Sequence, residues 1–204
     1  MSTKYRQLTR ERILEAAELV FAENGYHEAL VDEIGKRTSI SKGGLYFHFP
    51  SKERLFFAVM DRLADKLVKH AEKATMRADT PIAAAEAALD AVVVALSKRK
   101  RIARLLVTQG YSMGNAFESK RSEIFNRFSM VIKRRLDEAK SAGQIGDVDT
   151  DLASRIWIGA VNELVVHWLF SDGPSPSEAS VELKNQLIAS VRRPSAVLSG
   201  LTGA

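Results

Sequence analysis

The chain has 204 residues, 46% of them hydrophobic and 27% charged, with a net charge of +5, the make-up of a soluble globular protein with room for one or two cores. No apolar run approaches the ~20 residues of a membrane span, and Met1-Ser2-Thr3-Lys4-Tyr5-Arg6 is followed by no apolar leader. Cysteine is absent, which excludes disulfides, thiolate catalysis and Cys-based zinc sites; the expectation is a cytoplasmic protein with no membrane partner.

Five prolines and abundant Ala, Leu, Glu, Lys and Arg predict an all-α chain. Thr9 reads as an N-cap, after which Ile13, Ala16, Ala17, Val20 and Phe21 recur at helical spacing. Asn24-Gly25 predicts the stop of this helix. A short second helix comes next with Val31 and Ile34 inward, ending near Arg37, and Thr38-Ser39-Ile40 reads as a tight turn. Ser41 caps a third helix with Leu45 and Phe49 on one face. Pro50 ends it, and Ser51 caps a fourth helix through Leu55, Val59, Leu63 and Leu67 to about Ala74.

Asp79-Thr80-Pro81 opens an Ala-rich helix to about Leu96. A basic run, Lys98 to Arg101, precedes a helix from Ile102 to Gln109, and Gly110, Gly114 and Asn115 loosen the next few residues. A long helix is predicted over Phe117 to Ala142 with Gly143 as its stop, then a strongly apolar one from Asp149 or Thr150 to Phe170. Asp172-Gly173-Pro174 turns the chain, Ser177 caps a last helix through Val191, and Arg192 to Ala204 reads as a weakly ordered tail.

Two short helices joined by a tight turn, the second polar and Gly-containing on its outer face, are a helix-turn-helix. The charge agrees: between Lys36 and Arg54 stand five basic residues and one acid, and Lys4, Arg6, Arg10 and Arg12 form a second basic cluster. In this motif the start of the second helix meets base edges in the major groove of double-stranded DNA. Gly43 and Gly44 would let the backbone approach, and exposed helix-start N–H groups favour phosphate. Leu45 and Phe49 are expected inward. Lys42 can reach a base or phosphate, and Tyr46, His48 and Lys52 can reach phosphates; Phe47 either touches a thymine methyl or packs on the first helix.

The pattern Ile13-Leu14-x-Ala16-Ala17-x-x-x-Phe21-x-x-x-Gly25-Tyr26, Val31-x-x-Ile34, Ile40-Ser41-Lys42-Gly43-x-Leu45-Tyr46-x-His48-Phe49-Pro50-Ser51-Lys52-Glu53-x-Leu55 resembles the DNA-binding domain of the TetR family of bacterial transcriptional regulators. The resemblance implies an N-terminal three-helix helix-turn-helix domain, 1–50, a C-terminal helical effector-binding and dimerisation domain, 51–191, and a tail, 192–204. It implies a homodimeric repressor on a near-palindromic operator, with Arg6, Arg10, Ser41, Lys42, Gly43, Gly44, Tyr46, Phe47, His48 and Lys52 at the DNA. The chain departs from the family pattern at Ala29-Leu30, where a phosphate-binding Ser or Thr is usual. It departs again at Ser39, where the turn usually has Gly, and at Gly44, where Thr, Ala or Ser is commoner.

The apolar C-terminal helices are able to enclose a cavity. The last two look like the family's dimer-forming pair, with Gly159 and Ala160 allowing close approach. Ser119 to Ile145, with Asp149-x-x-Leu152-Ala153 and Trp157-Ile158-Gly159-Ala160-x-x-Glu163-x-x-x-x-Trp168, more loosely resembles the members that respond to fatty acids. The implied effector is small and apolar, such as a long-chain acyl-CoA, with Lys98 to Arg101 or Arg104 near its anionic head. Arg104, Gln109, Trp157, Asn162, Glu163 and His167 are the polar or large residues in apolar stretches and hence the candidate effector contacts. Alternatives are a regulator without an effector and one that answers to aromatic or drug-like ligands. No Glu-x-x-His pair, Gly-x-Ser-x-Gly elbow, phosphate loop or dinucleotide fingerprint occurs, so neither catalysis, a metal nor a cofactor is expected.

Overall fold

The first helix, α1 (Thr3–Glu28), sends Ile13, Ala17, Val20 and Phe21 into the core. In this computed structural model the described residues are 3–107, 113–171 and 173–192; among them there are nine helices and no strand, an all-α protein. Thr9 is not the cap of α1. The helix begins about two turns earlier, because nothing before Thr9 breaks it, and the Thr9 hydroxyl donates back to the Tyr5 carbonyl at 2.9 Å. Gly25 is the expected stop: its φ of 76° is left-handed, and only one further turn remains before Ala29.

α2 (Val31–Thr38) packs against α1, and α3 (Lys42–His48) against α2, around Ile34 and Leu45. Ser39 stands between them at φ 57°, a conformation costing a non-glycine residue about 1–2 kcal/mol. The turn is nonetheless closed, with Ile40 N–H donating to the Gly35 carbonyl at 3.1 Å. α4 (Lys52–Thr75) is capped by Ser51, whose hydroxyl accepts from Arg54 N–H. It runs from the helix-turn-helix into the larger helical body and packs on α1, α5 and α7.

That body contains α5 (Pro81–Ser97), capped by Thr80, then α6 (Lys100–Val107), α7 (Asn115–Ser141) and α8 (Thr150–Phe170), capped by Asp149. The last helix, α9 (Pro176–Val191), is capped by Ser175 rather than Ser177. Ser175 forms a reciprocal capping box with Glu178, Pro176 takes the first helical position, and Ser177 N–H donates instead to Ser97 on α5. Gln109 and Gly110, Asp172 of the predicted turn, and the tail after Arg192 lie outside the described residues. Among the described residues no helix is long and apolar enough to cross a membrane.

Two groups of ion pairs tie the helix-turn-helix to this body. Arg62 of α4, 14% exposed, bonds Glu11, Glu15 and Glu18 of α1, and Lys66 shares Glu18 at 3.2 Å. Further along α4, Asp61 and Asp65 pair with Lys120 and Arg127 of α7. α4 is thus clamped on both sides.

Candidate nucleic-acid interface and ligand cavity

The outer surface of α3 is built by its cap and its apolar face. Ser41 Oγ accepts from Gly44 N–H at 3.2 Å, and Leu45 and Phe49 are buried, which turns Lys42, Gly43, Tyr46 and Phe47 outward. The two glycines differ. A Cβ on Gly43 would meet nothing within 4 Å, whereas one on Gly44 would lie 2.9 Å from Ile40 Cγ2. Gly43 keeps the helix start open; at Gly44 a side chain would press on Ile40 in the turn, a reason internal to the protein that the expectation of DNA approach did not contain.

Phe47 is 65% exposed and meets the first helix through Arg6, which sits over its ring at 4.7 Å. Arg10 lies over Phe49 at 5.0 Å. α1 therefore brings Arg10, and through its early start Arg6, beside Phe49 and Phe47, joining the two basic clusters that are separate in sequence. His48 is flanked by Phe47 edge-on; burial, then the nearby Arg6 and Arg10 charges, hold its imidazole below its ordinary value. Lys42 pairs with Asp32 at 3.0 Å, and this hydrogen-bonded carboxylate pushes the amine up. Lys52 donates to the His27 carbonyl at 2.7 Å and sits over Tyr26 at 5.0 Å, where burial pushes it down. It fastens the end of α1 to α4 while keeping two of its three donors.

The effector candidates do not gather in one place. Asn162 lines an apolar cavity of about 50 Å³ with Leu67, Val92, Leu96, Leu106, Val107, Ile124, Phe125, Phe128, Ile158, Val161 and Val165. Trp157 is 1% exposed and packs in the core outside that lining, its indole N–H without a partner among the described residues. Glu163 and His167 are exposed on the opposite side of α8 and face away from the cavity. Arg104 is also exposed; it donates to the Leu169 carbonyl at 3.4 Å and borders a basic cleft against Glu23 and Gly25 of α1. Gln109 is outside the described residues.

Sequence reasoning missed a second cleft, of about 400 Å³, between α4 and the α5–α6 corner. Its floor is Leu63, Leu67, Leu96 and Ile102, and its rim carries Lys66, His70, Lys98 and Arg99. Leu67 and Leu96 line both this cleft and the cavity, so the two adjoin. Lys98 and Arg99 were legible as a basic run; Lys66 and His70 needed the pairing of α4 with α5. Among the described residues no cluster of His, Asp or Glu is arranged to hold a metal.

A family model described as "Bacterial regulatory proteins, tetR family" matches residues 13–59. The HTH-type transcriptional regulator UidR of Escherichia coli K12 is 31% identical over 156 residues, 74% of this chain and 76% of that protein. The fatty acid metabolism regulator protein of Bacillus subtilis strain 168 is 25% identical over 169 residues, 79% and 84% of the two chains. In three dimensions the fold matches FadR from Bacillus subtilis, solved in complex with stearoyl-CoA, with a TM-score of 0.78 at 21% identity over 89% of this chain and 99% of that one. With such a relative spanning three quarters of both chains and the family model lying on α1 to α4, the chain belongs to the TetR family and is a helix-turn-helix transcriptional regulator.

Proposed function

We propose that the protein is a homodimeric repressor released from its operator by a long-chain acyl-CoA. The observation that carries the effector reading is the junction of the basic-rimmed cleft with the apolar cavity, both against α4. An acyl chain fits the cavity's chemistry, and the phosphates of the CoA head fit Lys66, His70, Lys98 and Arg99. The last three make no ion pair with a described residue. The Bacillus subtilis relative and the stearoyl-CoA-bound neighbour support the same class of ligand.

At the DNA, α3 of each protomer enters a major groove, with Lys42, Gly43 and Phe47 at the bases and Tyr46, His48, Lys52, Arg6 and Arg10 at phosphates. The outer face of α8 supports dimerisation: Leu152, Ile156 and Phe170 are 55%, 53% and 70% exposed, and Gly159 has open space before it. Residues 1–50 form the DNA-reading unit in this reading, and 51–191 the sensing and dimerising one.

The cavity volume suggests how the two are coupled. About 50 Å³ is far below the ~300–1,000 Å³ of a formed ligand site, so an acyl chain must spread α4 from α5, α6, α7 and α8. α4 is also bonded to α1 through Arg62 and Lys66, and an anionic head at the cleft competes with Glu18 for Lys66. Both effects shift the DNA-reading helices, and by linkage the effector binds the DNA-free form more tightly.

The same small volume favours a second reading, a regulator without an effector whose core is simply filled. Calorimetric titration with palmitoyl-CoA, palmitate and CoA separates them. The acyl-CoA reading expects binding of palmitoyl-CoA well above either fragment, weakened roughly tenfold when Lys98 and Arg99 are both Ala. No binding of any of the three leaves the effector-free reading.

A further inference from the structure

The cavity contains one polar side chain among its described lining residues, Asn162. Its Oδ1 is buried and accepts no hydrogen bond. A buried acceptor left unpaired costs free energy that a partner would recover, and α8 could have carried Leu or Val at this position, as it does at Val161 and Val165.

Water is a poor answer. A buried water needs two to four polar partners, and here it would find one. The neighbouring void, about 10 Å³, shares Val92, Phe128, Ile158 and Val161 with the cavity and adds only Ala71, Ala88, Leu89, Val131 and Ile132. A donor from the protein is equally lacking among the described lining residues. The missing partner is therefore a group that arrives with the ligand.

We infer that the effector carries a hydroxyl on its acyl chain, bound by Asn162. Hydroxyl is the favoured group because it both donates and accepts. A half-turn of the Asn162 amide would put its NH₂ where Oδ1 lies, and a hydroxyl would satisfy either end. A ketone would serve only one. The layout puts the hydroxyl on the acyl chain rather than at the head: the head lies at the cleft, and Asn162 lines the cavity that adjoins it at Leu67 and Leu96. This inference rests on the acyl-CoA reading and sharpens it from an apolar chain to a hydroxylated one.

The test compares stearoyl-CoA with 12-hydroxystearoyl-CoA, and palmitoyl-CoA with 3-hydroxypalmitoyl-CoA, by calorimetry on the full chain and on Asn162→Leu. A hydrogen bond to an otherwise unpaired buried group is worth roughly a tenfold change in affinity. At least one hydroxylated form is expected to bind about that much tighter than its parent, and the preference to vanish or reverse in Asn162→Leu. Thermal unfolding gives an independent reading without ligand: Asn162→Leu keeps or raises Tm if Oδ1 is unpaired. Equal affinity for hydroxylated and parent forms overturns the inference while leaving the acyl-CoA reading intact. So does a Tm several degrees lower in Asn162→Leu, which would mean that Oδ1 already has a partner. Failure of all four ligands to bind overturns both.

Discussion

Lys42 is held by Asp32 across the turn between α2 and α3, so reaching a base requires it to leave that carboxylate. An exposed pair of this kind is worth at most about 1 kcal/mol, so Asp32 does not bar the proposed base contact. Lys42→Ala is expected to change the ranking of operator variants, while Tyr46→Ala weakens all of them by a similar factor. Competition binding against a set of single-base operator variants reads this; an equal loss on every sequence for both would contradict the base-reading role. Gly43 and Gly44 separate in the same way, through stability. Gly43→Ala gains up to about 1 kcal/mol of helix propensity because its Cβ meets nothing. Gly44→Ala makes the same gain but drives a methyl against Ile40, an overpacking of about 1–3 kcal/mol, and the balance is expected to lower the urea midpoint.

His48 has a testable sign. Burial and the charges of Arg6 and Arg10 depress its pKa in the free protein, and a DNA phosphate would favour the charged ring. The complex then binds more protons than its parts, so operator affinity rises as the pH falls from about 8 to about 6. Stability moves oppositely: the unfolded imidazole takes a proton more readily than the folded one, so acid below its ordinary 6.5 costs stability. His48→Gln is expected to flatten both curves; an unchanged pH dependence of binding would remove His48 from the phosphate contacts.

At the scale of helices, α4 joins the helix-turn-helix to the larger helical body. Arg62 gathers Glu11, Glu15 and Glu18, and without it three carboxylates on one face of α1 lose their main counterion. Arg62→Met is expected to cost about 2 kcal/mol of stability, to weaken operator binding, and to tighten effector binding, since one tie opposing the effector is gone. The same scale shows how much could be read beforehand. Helix ends at Gly25, Pro50 and Pro81 were legible because the breaking residue acts locally. Thr9 and Ser177 misled because Ser and Thr also sit inside helices, where the Thr9 hydroxyl bonds a carbonyl one turn back and the Ser177 hydroxyl pairs with that of Ser175, the actual cap. The outer face of α3 was legible for the same local reason as its cap. The cavity was not. α8 has apolar residues on both sides, with Leu152 and Ile156 exposed and Ile158 and Val161 buried, so periodicity could not tell Asn162, which faces the cavity, from its neighbour Glu163, which faces away. Lys66 and His70 gain meaning only from Lys98 and Arg99, which a different helix pair brings near.

Over the whole molecule, α1 carries Arg10, and through its early start Arg6, beside Phe49 and Phe47 and concentrates positive charge on one surface. A single copy presents one short reading helix. Two copies joined through α8 and α9 would present two, spaced for half-sites about 34–36 Å apart, and any change in α4 would alter that spacing. The most direct test of acyl-CoA-controlled repression is an anisotropy titration of labelled duplex from the region flanking the gene, at one fixed salt concentration because phosphate contacts make affinity strongly salt-dependent. After the protein is bound, palmitoyl-CoA, its hydroxylated form and free CoA are added in turn. Tight binding, release by the acyl-CoAs, and no release by CoA alone are expected. Binding that persists through every acyl-CoA would contradict the acyl-CoA-released repressor.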